Sequence, residues 1–105
     1  MRFVIPITCN EDNEPLGLFS VSTTAGELVL VFSDMRKWDR FAGAVSPLLD
    51  AENQSLGSAT FDAESIDGLL NQLAESYPAA AEDAVFVPDF APGAEEVMAY
   101  LEKRA

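Results

Sequence analysis

The sequence predicts an α+β domain, a mixed β-sheet with about three helices covering it. Three observations point there. Apolar stretches of strand length fill the first third of the chain, from Phe3 to Phe32. Two later segments carry apolar residues at i, i+3, i+4 and i+7 or close to it, the spacing of a helix with one buried face. A further apolar run, Ala84–Val87, lies among the helical stretches, so strands and helices alternate along the later chain. The 105 residues are enough for one core and too few for two, so residues 1–105 read as a single domain. The formal charge is 6 − 18 = −12, but 49 % hydrophobic residues rule out intrinsic disorder.

Phe3–Thr8 reads as the first strand. Pro6 cannot donate to a ladder, which predicts an edge strand or one whose Pro6 faces away from a neighbour. Asn10–Pro15 is a polar turn. Leu16–Ser22 follows as a second strand, with Leu16 and Leu18 on one face and Phe19 and Val21 on the other. Thr23–Gly26 suits a hairpin loop, because Gly26 reaches positive φ at little cost. Leu28–Phe32 has no polar interruption and reads as a central strand covered on both faces.

Ser33 is the expected N-cap of the first helix, with Asp34 in the first turn. Met35, Trp38, Phe41 and Ala42 fall on one side of that helix and Arg36, Lys37 and Arg40 on the other. Gly43 is the expected stop, and Pro47 breaks the stretch that follows. Asp50–Ser55 is a polar loop and Ser58–Phe61 a short strand. Asp62 is the expected cap of a second helix carrying Ile66, Leu69, Leu70 and Leu73, which Tyr77-Pro78 ends. Ala84–Val87 is a strand stopped by Pro88. Pro92 opens a last helix with Ala94, Val97, Met98 and Leu101 inward. Its early Glu95 and Glu96 and late Lys103 and Arg104 complement the helix dipole.

Phe3-Val4-Ile5-Pro6-Ile7-Thr8, then Leu18-Phe19-Ser20-Val21, then Val31-Phe32-Ser33-Asp34 and Trp38-Asp39-Arg40-Phe41 together resemble the N-terminal domain of the SseB (enhanced serine sensitivity) family. The resemblance covers the chain as far as Gly43. Further on, Asp89 follows Val85-Phe86-Val87-Pro88 where the family tends to have an Asn-Pro turn. It implies a small α/β fold in a bacterial cytoplasmic protein, and it carries no catalytic residues to transfer.

The apolar start of the chain is too short for a signal peptide, no window approaches the length of a membrane span, and the single Cys9 suits a reducing compartment, so the expected location is the cytoplasm. With no histidine, the Ser-His-Asp and Cys-His nucleophile systems and histidine metal sites are absent. One cysteine makes neither a thiolate cluster nor an internal disulfide. The isolated glycines match no nucleotide-binding loop. Asp50-Ala51-Glu52-Asn53-Gln54 resembles the start of a calcium loop but lacks its central Gly, and Phe61 stands where the closing Glu belongs. The paired acids Asp62/Glu64, Glu82/Asp83 and Glu95/Glu96 read as helix starts and wet surface. Cys9, with acids at 11, 12 and 14, reads as an inert thiol at a strand end. The expectation is therefore a protein that is not an enzyme and takes no cofactor or metal.

Charge is the informative feature. No basic residue stands between Phe41 and Leu101, a stretch with eleven acidic ones. Such a surface repels nucleic acid and attracts a basic partner. The reading is an acidic protein–protein interaction module, open to homodimer formation, with no nucleic-acid or membrane partner. Its expected partner-binding residues are Arg36, Arg40 and Trp38: two arginines one helical turn apart, in reach of a shared carboxylate or phosphate, beside an aromatic anchor. The alternative is a small-anion or amino-acid-binding regulatory domain, its ligand held by backbone N–H groups at the Ser33 helix start.

Overall fold

The computed structural model describes residues 1–24 and 26–104, and the chain is α+β. In chain order the elements are β1 (Arg2–Cys9), β2 (Pro15–Leu18), β3 (Val21–Thr23), β4 (Gly26–Val31), α1 (Met35–Asp50), β5 (Ser55–Asp62), α2 (Ile66–Ser76), α3 (Pro78–Asp83), β6 (Ala84–Pro88) and α4 (Pro92–Arg104). The strands form two three-stranded sheets, ordered β2-β1-β5 and β3-β4-β6. All pairings are antiparallel except β4 with β6. A two-way bridge joins the sheets: Val4 N donates to Phe32 O at 2.8 Å, and Phe32 N to Val4 O at 2.9 Å.

Alternation along β1 and β4 builds two cores from the same strands. Val4, Leu30 and Phe32 pack with Phe41, Val45 and Leu49 of α1 and with Val97, Met98 and Leu101 of α4. Phe3, Ile5, Val29 and Val31 pack on the opposite side with Leu69 and Leu73 of α2. The uninterrupted apolar run Leu28–Phe32 is thus covered on both faces, as expected of a central strand.

β1 is central in its sheet, not an edge. Its odd-numbered residues bond towards β5 and its even-numbered ones away from it, where Phe19 N reaches Pro6 O at 2.9 Å. Pro6 falls opposite Phe19, just past the end of β2: its carbonyl accepts from Phe19 N, and the one bond it cannot make is the reciprocal one to the Phe19 carbonyl, at the margin of the ladder. The expected strand Leu16–Ser22 is in fact split there between the two sheets. Leu18 packs against the α2 core and Phe19 and Val21 belong to the α1/α4 core, so the chain changes sheet between them. The hairpin turn expected over Thr23–Gly26 includes Ala25, which lies outside the described residues; Gly26 has φ 114°, a conformation that favours glycine.

Four helices replace the expected three. Gly43 does not stop α1 and Pro47 does not break it; the helix runs on to Asp50 and is capped at Ala51. A proline inside a helix costs about 3 kcal/mol. The turns around it bury Val45 and Leu49, at about 1.5–3 kcal/mol per apolar side chain, which offsets the penalty. Asp34, not Ser33, is the N-cap, accepting from Arg36 N at 2.9 Å. Met35 lies outside the buried stripe and is exposed. Ser65 rather than Asp62 caps α2, through its hydroxyl to Gly68 N. Asp62 instead ends β5, which spans eight residues rather than the expected Ser58–Phe61 and begins inside the expected polar loop Asp50–Ser55. Pro78 both follows α2 and starts α3, and Pro88 is the last residue of β6 rather than a stop before it.

Candidate functional site

The expected partner-binding residues all lie on α1, but the structure gives them separate tasks. Arg40 reaches across to α4. Its Nη1 is 3.0 Å from Glu95 Oε2, and its Nε donates to Glu102 Oε1 at 2.6 Å. The bonds to Glu102 and then Glu95 raise the guanidinium pKa further above its usual value. Trp38 is half-buried. Its ring meets Phe32 edge-on with centroids 5.4 Å apart and lies 5.7 Å from Phe41, an arrangement that fixes the end of β4 against α1. Arg36 is almost fully exposed and only 4.0 Å from Asp34. Arg36 and Arg40 therefore share no carboxylate. The remaining cation of the stripe, Lys37, donates from Nζ to the Asp89 carbonyl at 3.0 Å.

The start of α1 is filled by the chain's own carboxylate. Asp89 is 2 % exposed, the buried charged side chain among the described residues. Its Oδ2 accepts from Ser33 N at 3.0 Å and Asp34 N at 2.9 Å, and its Oδ1 accepts from Ser33 Oγ at 2.9 Å. Backbone N–H groups at a helix start attract an anion, and here residue 89 supplies it. The donors on which an external anion would depend are already engaged. Nothing local in the sequence signals this pairing, because more than fifty residues separate the partners.

A cleft opens between β3 and α4. Tyr100, on the exposed side of α4, is 49 % exposed and stands between two hollows. The larger, about 710 Å³, is lined by Val21, Leu28, Val97 and Tyr100, with Ser22 and Glu96 at its rim. The smaller, about 360 Å³, lies beyond the ring against Phe19, Val21, Leu48 and Leu101. The Arg104 guanidinium sits 5.7 Å from the ring centroid, and its Nη1 is 3.4 Å from Tyr100 Oη, which steadies the ring. Tyr100 lies outside the buried stripe of Val97, Met98 and Leu101, and it is not among the contact residues expected from the sequence. That β3 would face it across a cleft depended on the split of the second strand.

Beside this cleft, Glu27 of β4 accepts from Ser20 Oγ at 2.6 Å and from Ser22 Oγ at 2.5 Å. The Ser20 bond first, then the Ser22 bond, holds its carboxyl below the ordinary value of 4.5. Cys9 is a half-buried free thiol whose Sγ would lie 3.0 Å from a Cβ added at Gly57, so a side chain there requires the thiol to move by a few tenths of an ångström. Among the described residues, no three His, Cys, Asp or Glu side chains are grouped to hold a metal ion, and no helix is long and apolar enough to cross a membrane. No family model, curated protein or solved structure matches the chain.

Proposed function

We propose that this chain is a non-catalytic, acidic protein–protein interaction module that receives its partner in the cleft around Tyr100. The carrying observation is the half-exposed Tyr100 ring standing between a mainly apolar hollow and a smaller one of mixed lining that includes Glu52 and Arg104, beside the short edge strand β3. Tyrosine supplies a large contact area at low entropic cost and is enriched among the residues that dominate binding. The charge of −12 favours encounter with a basic partner. The absence of histidine and the bland settings of the paired acids support a role without catalysis. The SseB-like stretch from Phe3 to Phe41 fits a small cytoplasmic bacterial module of this kind. Of the α1 residues, Arg36 keeps its head group exposed beside Asp34 and accessible to a partner, while Arg40 and Trp38 serve the packing of α1.

The test is affinity purification from the native host with mass-spectrometric identification, comparing wild type with Tyr100→Ala and Arg36→Glu. Loss of one reproducible protein partner in Tyr100→Ala, with its retention in Arg36→Glu, is the expected result. A partner that survives Tyr100→Ala and disappears with Arg36→Glu moves the site to α1. Recovery of no partner, combined with thermal stabilisation by one metabolite class, would replace the reading with the small-ligand alternative.

A further inference from the structure

We infer that the outer edge of β5 is a self-pairing surface on which a second copy of this chain docks in antiparallel register. The backbone directions follow from the ladder. Ala63 N donates to Met1 O at 3.0 Å, so bonded pairs recur at every second position, from Phe61 opposite Phe3 to Ser55 opposite Cys9. The N–H and C=O groups of Leu56, Ser58, Thr60 and Asp62 therefore point away from β1. Among the described residues, only the Asp62 carbonyl of this row finds a partner, Gln72 Nε2 at 2.7 Å, which confirms the direction. Leu56, Ser58 and Thr60 present a bare row of donors and acceptors.

Sheet edges are ordinarily blunted by brevity, proline, lysine or a bulge. The other edges of this protein are: β2 has four residues and begins at Pro15, β3 has three, and β6 ends in Pro88. β5 has eight residues in unbroken register with β1, without proline, lysine or bulge. Like the other edge strands it carries no charge over most of its length, from Ser55 to Phe61.

Length and unbroken register make β5 a template for an equally long strand, which a second copy supplies, and its neutral centre sets no like charges against each other. A two-fold axis through Ser58 places Ser58 opposite its own counterpart and Leu56 opposite Thr60, so no carboxylate faces a carboxylate across these central pairs. The outward groups of the three central residues then bond reciprocally, and sheet β2-β1-β5 continues into its copy. Ser58 and Thr60 are exposed, so their side chains do not obstruct the approach.

Size-exclusion chromatography with light scattering tests this on the intact chain at rising concentration and physiological salt. Wild type is expected to climb from 11.3 kDa towards twice that mass. Ser58→Lys sets two cations opposite each other and Thr60→Pro removes an outward donor, so each weakens association at least about tenfold. Ser58→Lys changes only an exposed side chain, which keeps the test valid where proline disturbs the strand. On concentrating wild type, the amide hydrogens of Leu56, Ser58 and Thr60 should slow in exchange, while those of β3 should not. A wild type that stays at 11.3 kDa at every concentration, or a dimer indifferent to both substitutions, overturns the inference. Neither result bears on the Tyr100 cleft, which lies on the other sheet.

Discussion

Asp89→Ala tests whether α1 depends on a carboxylate delivered from the far end of β6. The substitution removes the acceptor of Ser33 N, Asp34 N and Ser33 Oγ together. The hydroxyl can turn to another acceptor; the two backbone donors cannot. An unsatisfied buried donor costs about 1–3 kcal/mol, and these two are partly buried, so the combined loss should be about 3 kcal/mol. With a urea slope of about 1.5 kcal/mol/M, the unfolding midpoint falls by about 2 M at constant slope. Asp89→Asn keeps one oxygen where Oδ2 takes both N–H groups and offers its amide to Ser33 Oγ as donor. It loses only charge assistance and the helix-start term, about 1 kcal/mol. Added formate should raise the midpoint of Asp89→Ala by refilling the vacated position, and leave wild type unmoved. An alanine variant within about 0.5 kcal/mol of wild type, or an asparagine variant as damaged as alanine, would refute the reasoning.

Two further outcomes follow from the helix and the hairpin. Gly43→Ala should stabilise the protein by about 0.5–1 kcal/mol, because the position is helical and a Cβ there meets nothing within 4 Å. A destabilised variant in urea unfolding would show that the helix needs glycine at that point. Glu27→Gln should flatten the acid limb of the stability–pH curve. The folded pKa of Glu27 is depressed, so its contribution is complete above 4.5 and disappears as pH falls through the lowered value. Identical acid limbs for wild type and variant, followed by urea midpoints between neutral pH and the acid range, would remove Glu27 from that account.

Local patterns carried a good part of this fold into view. The apolar spacing of Leu69 and Leu73, and of Ala94, Val97, Met98 and Leu101, marks helix faces that are indeed buried. The apolar run Leu28–Phe32 marks a strand covered on both sides. What stayed hidden is decided at long range. Local propensity ends a helix at Gly43 or Pro47, whereas the buried Val45 and Leu49 carry it onward. Ser33 is a good cap in isolation, but its hydroxyl is drawn to Asp89, and Asp34 caps instead. Leu16–Ser22 alternates like one strand, and only the presence of two cores shows why it must divide between Leu18 and Val21. The candidate site was less legible. The sequence pointed to Arg36, Arg40 and Trp38, whereas Tyr100 stands out only because β3 and α4 meet in space and form the cleft it borders. The two glutamates that occupy Arg40 lie on α4, beyond the reach of any local motif.

The bridge between Val4 and Phe32 and the long ladder from β1 to β5 have a consequence for biosynthesis. β1 is translated well before β5, at about 5–20 residues per second, so it waits for several seconds without its principal neighbour. Both hydrophobic interiors draw on β1 and must stay open for that interval. During it, Phe3-Val4-Ile5-Pro6-Ile7 is a nascent apolar ribbon, the kind of segment that self-associates. Pro6 sits in its middle, unable to extend a stack of like chains. The proline so guards the newborn polypeptide at a position where the mature protein gives up a single bond at the margin of a ladder.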